Sequence, residues 1–132
     1  SKKNPVIYHD PCELGRIPEL ELGRGVYDDP RFILNSVPGL ELIEFESNKR
    51  NSDCCGGGGG LKAVDYDIST EITRRRVNAG LELGATTIAS MCNNCKNQMY
   101  PVAKDMKLEF KEAGDKRNIN IIDVAEIVAR AI

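Results

Sequence analysis

Thr86-Thr87-Ile88-Ala89-Ser90, running into Met91-Cys92-Asn93-Asn94-Cys95, decides the fold. The first five residues are β-branched or small and read as a strand. The next five leave the strand and open a helix near Cys92. Cys95, Met99, Val102, Met106 and Phe110 then fall on one face of that helix. Pro101 is placed to kink or split it. A strand feeding directly into a helix is half of a βαβ unit, and the same order appears on both sides.

Upstream, Ile68 to Leu83 is helical, with Ile68, Ile72, Ala79 and Leu83 in phase and Gly84 where a C-cap glycine belongs. A long polar loop from Glu46 to about Gly60 precedes it. Leu40 to Phe45 reads as a strand. Asp28-Asp29-Pro30 opens a helix, with Asp29 as cap, Pro30 in the first turn and Phe32, Ile33 and Val37 facing inward. Pro38-Gly39 ends that helix. Val6-Ile7-Tyr8 is a strand stopped by His9-Asp10-Pro11. Downstream, Ile119 to Ile122 is a fourth strand. Asp123 then caps a last helix, with Glu126 in a capping-box position and Val124, Ile127, Val128 and Ala131 inward. Alternating strands and helices imply parallel pairing. The expected class is α/β: a two- or three-layer sandwich on a four-stranded, mostly parallel sheet, with the cysteine loops at its C-terminal edge.

Length and composition suit one domain. The chain has 132 residues, 41% hydrophobic and 29% charged, and its charge sum is 18 − 20 = −2. That balance excludes a disordered tail and a general nucleic-acid binder. No apolar run approaches the roughly 18 residues of a membrane span, and no secretory signal is evident. Five cysteines is an odd number, so they cannot all pair within the chain. A charge-rich chain with surplus thiols fits the cytoplasm.

The cysteines are Cys12, Cys54, Cys55, Cys92 and Cys95. Between Cys12 and Cys54 lie 41 residues, and between Cys55 and Cys92 lie 36. Buried apolar packing is the ordinary role of a lone cysteine, but these five stand in polar or glycine-rich contexts. Cys12 follows strand one, Cys54 and Cys55 follow strand two, and Cys92 and Cys95 follow strand three. In a parallel sheet those loops leave at the carboxyl edge, where open α/β sheets place ligands. Three chemistries compete there. A tetrahedral zinc site leaves one thiol over. A Cys92–Cys95 dithiol switch at a helix start leaves three unexplained. An iron–sulfur cluster can use all five. The run Gly56 to Gly60 favours the cluster, because N–H groups without side chains can approach sulfur closely. Gly56, Gly57 and Gly58 are therefore candidate cofactor-binding residues. Nucleotide loops fail by position, since both glycine patterns need glycine where Leu61 stands.

Cys12, Cys54-Cys55-Gly56 and Cys92-x-x-Cys95 together resemble the cysteine-rich CCG domain of heterodisulfide reductase catalytic subunits and related iron–sulfur oxidoreductases. Tyr8-His9-Asp10-Pro11, Leu14-Gly15-Arg16, Val26-Tyr27-Asp28, Pro30-Arg31, Pro38-Gly39, Asn51-Ser52-Asp53 and Ile122-Asp123-Val124-Ala125-Glu126 agree with that resemblance. It covers nearly the whole chain. It implies that Cys12, Cys54, Cys55, Cys92 and Cys95 ligate a noncubane [4Fe-4S] cluster that passes electrons to a disulfide of the coenzyme M–coenzyme B type. Related domains serve glycolate and lactate oxidation, and some hold zinc instead. The gap after Cys12 is slightly long for the strict cluster motif, which keeps a zinc-stapled docking module as the alternative. The resemblance also implies one CCG copy, residues 1–132, either a small stand-alone subunit or short paralogue or, as the abrupt start Lys2-Lys3-Asn4-Pro5 favours, the C-terminal part of a larger protein. Implied partners are a ferredoxin-like domain, a membrane cytochrome subunit and a small disulfide or thiol substrate; nucleic acid is not one. A peripheral place at the membrane would follow from such a subunit.

His9 is the candidate proton donor, weighed against a packing role at the strand exit. Asp10 is expected to order its loop. Arg74-Arg75-Arg76 reads as a solvated face. Arg16 and Arg24 stand near the Cys12 loop, where an anionic substrate would meet them. Met91, Met99 and Met106 read as core.

Overall fold

The structure is a computed structural model that describes residues 4–58 and 60–131. Lys2, Lys3 and Gly59, each part of a sequence expectation, lie outside the described residues. The elements in order are β1 (Asn4–Tyr8), α1 (Arg16–Leu22), α2 (Asp28–Asn35), β2 (Leu40–Glu44), α3 (Leu61–Val64), α4 (Tyr66–Glu82), β3 (Thr87–Ser90), α5 (Asn93–Glu112), β4 (Asn120–Asp123) and α6 (Val124–Ala131). All strand pairs are parallel, in the order β2-β1-β3-β4.

Alternation along β1 splits the core between two faces. Ile7, opposite Ile43 on one side and Ile88 on the other, packs with Val77, Leu81, Met99, Val102 and Met106 from α4 and α5. Val6 and Tyr8 pack the other way, with Leu34 of α2 and Val124 of α6. The result is three layers, helices on both sides of a parallel sheet. The order has a switch point. From β1 the chain steps outward to β2, then returns past β1 to β3. The loops after β1 and β3 therefore diverge, and a crevice opens between them at the carboxyl ends.

Several local expectations shift. The chain forms α1 and α3, neither of which the apolar pattern announced. Asp29 does not cap α2; Tyr27 holds that position without a side-chain bond, and Asp28 and Asp29 both lie in the first turn, where carboxylates meet the positive end of the helix. Phe32 is exposed, because α2 turns Pro30, Arg31 and Leu34 inward. On α4 the period is right but the buried face is turned: Ala79 packs against the core as expected, and the ends of the expected stripe do not. Ile68 and Leu83 face water, while Ser69, Thr73, Arg76, Val77, Gly80 and Leu81 are buried. That inward face is half polar because it packs against the cysteine loops. Pro101 does not split α5. Met91 and Ala131 are exposed, whereas Met99 and Met106 lie in the core. Asp123 caps α6 through Ala125 N–H, and Glu126 pairs with Lys96 of α5. Gly84 takes φ +87° after α4, as a helix-ending glycine does. No helix among the described residues is long and apolar enough to cross a membrane.

Candidate metal centre

Cys12, Cys92 and Cys95 are placed by the ends of β1 and β3. After β1, Pro11 turns the chain: its carbonyl accepts from Leu14 and Gly15 N–H, and Cys12 C=O accepts from Ile17 N–H at 2.9 Å, leading into α1. After β3, Cys92 is the N-cap of α5 and its N–H meets Ser90 Oγ at 3.3 Å. Cys95 lies in the first turn of α5, where a helix N-terminus favours negative charge.

The Cys54-Cys55 segment is fastened to α4. Thr73 Oγ1 donates to Cys55 C=O at 2.6 Å, and Ser69 Oγ donates to Gly56 C=O at 2.7 Å. Gln98 of α5 donates to both hydroxyls, at 3.0 and 2.9 Å. This close approach needs glycine. Gly56 has φ +94°, and a Cβ there would stand 2.5 Å from Ser69 C=O. Gly56 N–H points at Cys54 Sγ, 3.2 Å away, and Gly57 N–H at Cys55 Sγ, 3.4 Å away. Gly58 lines the same pocket. Gly60 has another use: it sits at φ +76° as the N-cap of α3.

One pocket is lined by Cys12, Cys54, Cys55, Cys92 and Cys95 together with His9, Glu13, Arg16 and Asp53. All five thiols are free; Cys55 and Cys95 form its buried floor and Cys54 is exposed. Hydrogen bonding to Cys55, then burial, pushes the Cys54 thiol up. The Cys54 bond draws Cys55 down, but the bond to Cys95 and burial outweigh it and hold Cys55 at about 11. Thiols this crowded stay protonated until a cation takes the place of their protons.

Behind the floor lies a polar layer. His9 is 1% exposed, and its Nδ1 accepts from Arg76 Nε at 3.0 Å. Burial, then the Arg76 charge, lowers His9 to about 3. The imidazole is therefore neutral at ordinary pH and offers a hydrogen bond rather than an acid. One ring nitrogen lies within 4.8 Å of both the Cys55 and Cys95 sulfurs. Arg76 was expected in solvent, yet it is 2% exposed. Burial holds it down at about 10, still charged at neutral pH. The sequence carries a signal for this layer: Ser69, Thr73 and Arg76 recur at helical spacing as a polar stripe.

Other expected residues separate. Arg16 lines the pocket and donates to Ser52 C=O at 3.1 Å. Arg24 lies in a different groove, with Pro18, Leu22 and Val26. Asp10 orders its loop, receiving Arg31 through both carboxylate oxygens and Lys49 N–H at 2.7 Å. The Tyr8 hydroxyl is buried with no hydrogen-bond partner among the described residues.

A doubly covered parallel sheet with free cysteines gathered at its switch point defines a cysteine-rich α/β domain. The chain belongs to the CCG cysteine-rich domain family, whose pattern it matches over residues 6–100. It is 33% identical over 127 residues to a subunit of the dihydromethanophenazine:CoB–CoM heterodisulfide reductase of Methanosarcina acetivorans, covering 96% of this chain and 27% of that protein. It is 34% identical over 122 residues to a subunit of the fumarate reductase (CoM/CoB) of Methanothermobacter marburgensis, 92% of this chain and 22% of that one. It is 33% identical over 127 residues to the "Probable iron-sulfur-binding oxidoreductase FadF" of Bacillus subtilis, 96% of this chain and 16% of that one. The chain thus spans about a quarter or less of these relatives.

Proposed function

We propose that this chain is the iron–sulfur-binding domain of a heterodisulfide reductase-like oxidoreductase. Cys12, Cys54, Cys55, Cys92 and Cys95 are its ligands to a noncubane [4Fe-4S] cluster. The observation that carries this reading is the convergence of five free thiols on one pocket, with backbone N–H groups on two of them and a buried cation behind. That donor set fits an anionic, thiolate-held group. When bound, such a cluster supplies single electrons to a disulfide substrate. Reduction takes two electrons and two protons and yields two thiols; the electrons come from a ferredoxin-like partner domain. Gly56 and Gly57 hold the Cys54 and Cys55 sulfurs in place and, with Gly58, leave backbone room for the group. Arg16, which lines the pocket, meets an anionic substituent of the substrate.

The chain then works as one module of a larger protein, in the cytoplasm and at the membrane only through a partner such as a cytochrome subunit. Service in organic-acid oxidation, as for glycolate or lactate, uses the same module with a different electron donor. Zinc is the competing occupant, since one ligand atom each of His9, Cys55 and Cys95 lie within 4.8 Å of one another. The His9 geometry opposes a His ligand, however. A metal on Nε2 requires the proton on Nδ1, and Nδ1 already accepts from Arg76.

Anaerobic reconstitution with iron and sulfide, followed by metal analysis and electron paramagnetic resonance, tests the assignment. The expected result is about four irons per chain, with the signal lost in Cys54→Ser. One zinc per chain with no iron uptake would overturn it.

A further inference from the structure

Arg76 is a buried guanidinium with no ion-pair partner among the described residues. None of the ion pairs among the described residues involves it. Its hydrogen-bond partners are neutral: His9 Nδ1 at 3.0 Å, Ser47 C=O at 3.2 Å, Ser47 Oγ at 3.3 Å and Ser52 Oγ at 2.9 Å. The Phe45 ring covers it at 3.5 Å from the centroid. A buried charge costs several kcal/mol unless an opposite charge compensates it. Asp53, the acid that acts on it most strongly, is exposed and accepts from Ser47 Oγ instead. Asp10 also acts on it, but that carboxylate is held by Arg31 through both oxygens; the remaining anions in its field are Cys55 and Cys54 once they become thiolates.

His9 links the two. Arg76 Nε carries a hydrogen at every ordinary pH, so the Nδ1 it faces must be the acceptor nitrogen. A neutral imidazole has one hydrogen, which then belongs on Nε2. One ring nitrogen lies within 4.8 Å of both the Cys55 and Cys95 sulfurs, and with Nδ1 engaged by Arg76 the hydrogen on Nε2 is the one available to them. The main chain holds the ring in place, since His9 N–H donates to Ala89 C=O at 2.9 Å.

We propose that Arg76 and His9 form a charge relay that sets the reduction potential of the group held by Cys55 and Cys95. Arg76 fixes His9 as the Nε2–H tautomer, and His9 donates that hydrogen to a ligand sulfur. The inference rests on the iron–sulfur reading above. Both residues are positioning residues. A fixed positive charge and an N–H···S bond each favour the more negative, reduced form, which raises the potential. Phe45 covers Arg76, and Arg76 and His9 are both buried, so the effect is less screened than it would be at the surface.

The test is a redox titration of anaerobically reconstituted protein, followed by electron paramagnetic resonance. Arg76→Met and His9→Phe each shift the midpoint to a more negative potential. The double variant shifts it less than the two shifts added, because the residues act in series. Arg76→Lys, which keeps the charge, stays closer to wild type than Arg76→Met. Variants with wild-type iron content and wild-type midpoints overturn the proposal. Should Arg76→Met fail to fold, the metal-free wild type still decides: long-range proton–nitrogen spectra should show His9 as Nε2–H, and Nδ1–H refutes the relay. A wild type that takes up no iron fails the iron–sulfur reading itself. A wild-type cluster whose potential ignores Arg76 and His9 sinks the relay alone.

Discussion

Replacing Gly56 with alanine tests whether the glycine run is a built cradle or a slack connection. Gly56 sits at φ +94°, where an L-residue is strained by about 1–2 kcal/mol. The new methyl has nowhere to go. Its carbon would lie 2.5 Å from Ser69 C=O and 2.6 Å from Thr73 Oγ1, both on α4. Relief means lifting the loop off the helix. That breaks the bonds from Ser69 Oγ to Gly56 C=O and from Thr73 Oγ1 to Cys55 C=O. Each buried bond is worth about 1 kcal/mol. Strain plus two lost bonds gives a destabilisation of about 3–4 kcal/mol. Gly58→Ala is the control. Its φ is not positive and nothing lies within 4 Å of the added carbon, so it should be neutral or stabilise by up to about 1 kcal/mol. Urea unfolding of the metal-free chain, followed by circular dichroism, measures both. If Gly56→Ala falls within about 0.5 kcal/mol of Gly58→Ala, the loop is not fastened as described and the cradle argument fails.

Arg31→Met should cost about 3–5 kcal/mol, because it leaves the Asp10 carboxylate buried with only Lys49 N–H for company; thermal unfolding checks this, and a loss below about 1 kcal/mol contradicts the assigned pairing. Tyr8→Phe should leave stability unchanged or raise it by about 1 kcal/mol, since the hydroxyl it removes has no partner among the described residues; a clear loss would contradict that. Tyr27 gives a pH prediction. Burial and the hydroxyl it donates to Glu19 at 2.6 Å raise it from 10.0 to about 12. The unfolded chain loses this proton first, so the contribution is whole below about pH 10 and lost as pH climbs through 12. Tyr27→Phe should flatten that alkaline limb of the stability curve, and an unchanged limb rules the bond out.

The periodic segments were legible wherever burial followed hydrophobicity. Val6-Ile7-Tyr8, Ile119 to Ile122 and the Cys95–Phe110 helix face read correctly because their surroundings are apolar. The reading failed where polar residues are buried. Arg31 and Arg76 look like surface residues in any hydropathy count, yet they are only 7% and 2% exposed. Arg31 points α2 inward through Asp10 and Glu44 and leaves Phe32 in water. Ser69, Thr73 and Arg76 rotate α4 so that Ile68 is displaced outward.

By itself the sequence determined the order of the four strands and the longer helices and the placing of five cysteines on the loops after three strands, since both depend on local spacing. A period of two or of 3.6 residues is a property of neighbours along the chain. Only the tertiary structure decided that β1 lies between β2 and β3, which makes the switch point and brings the cysteine loops into one pocket. It alone put Arg76 against His9, which is 67 positions away. A buried charge is tolerated because of what surrounds it in space, and no run of residues along the chain encodes those surroundings.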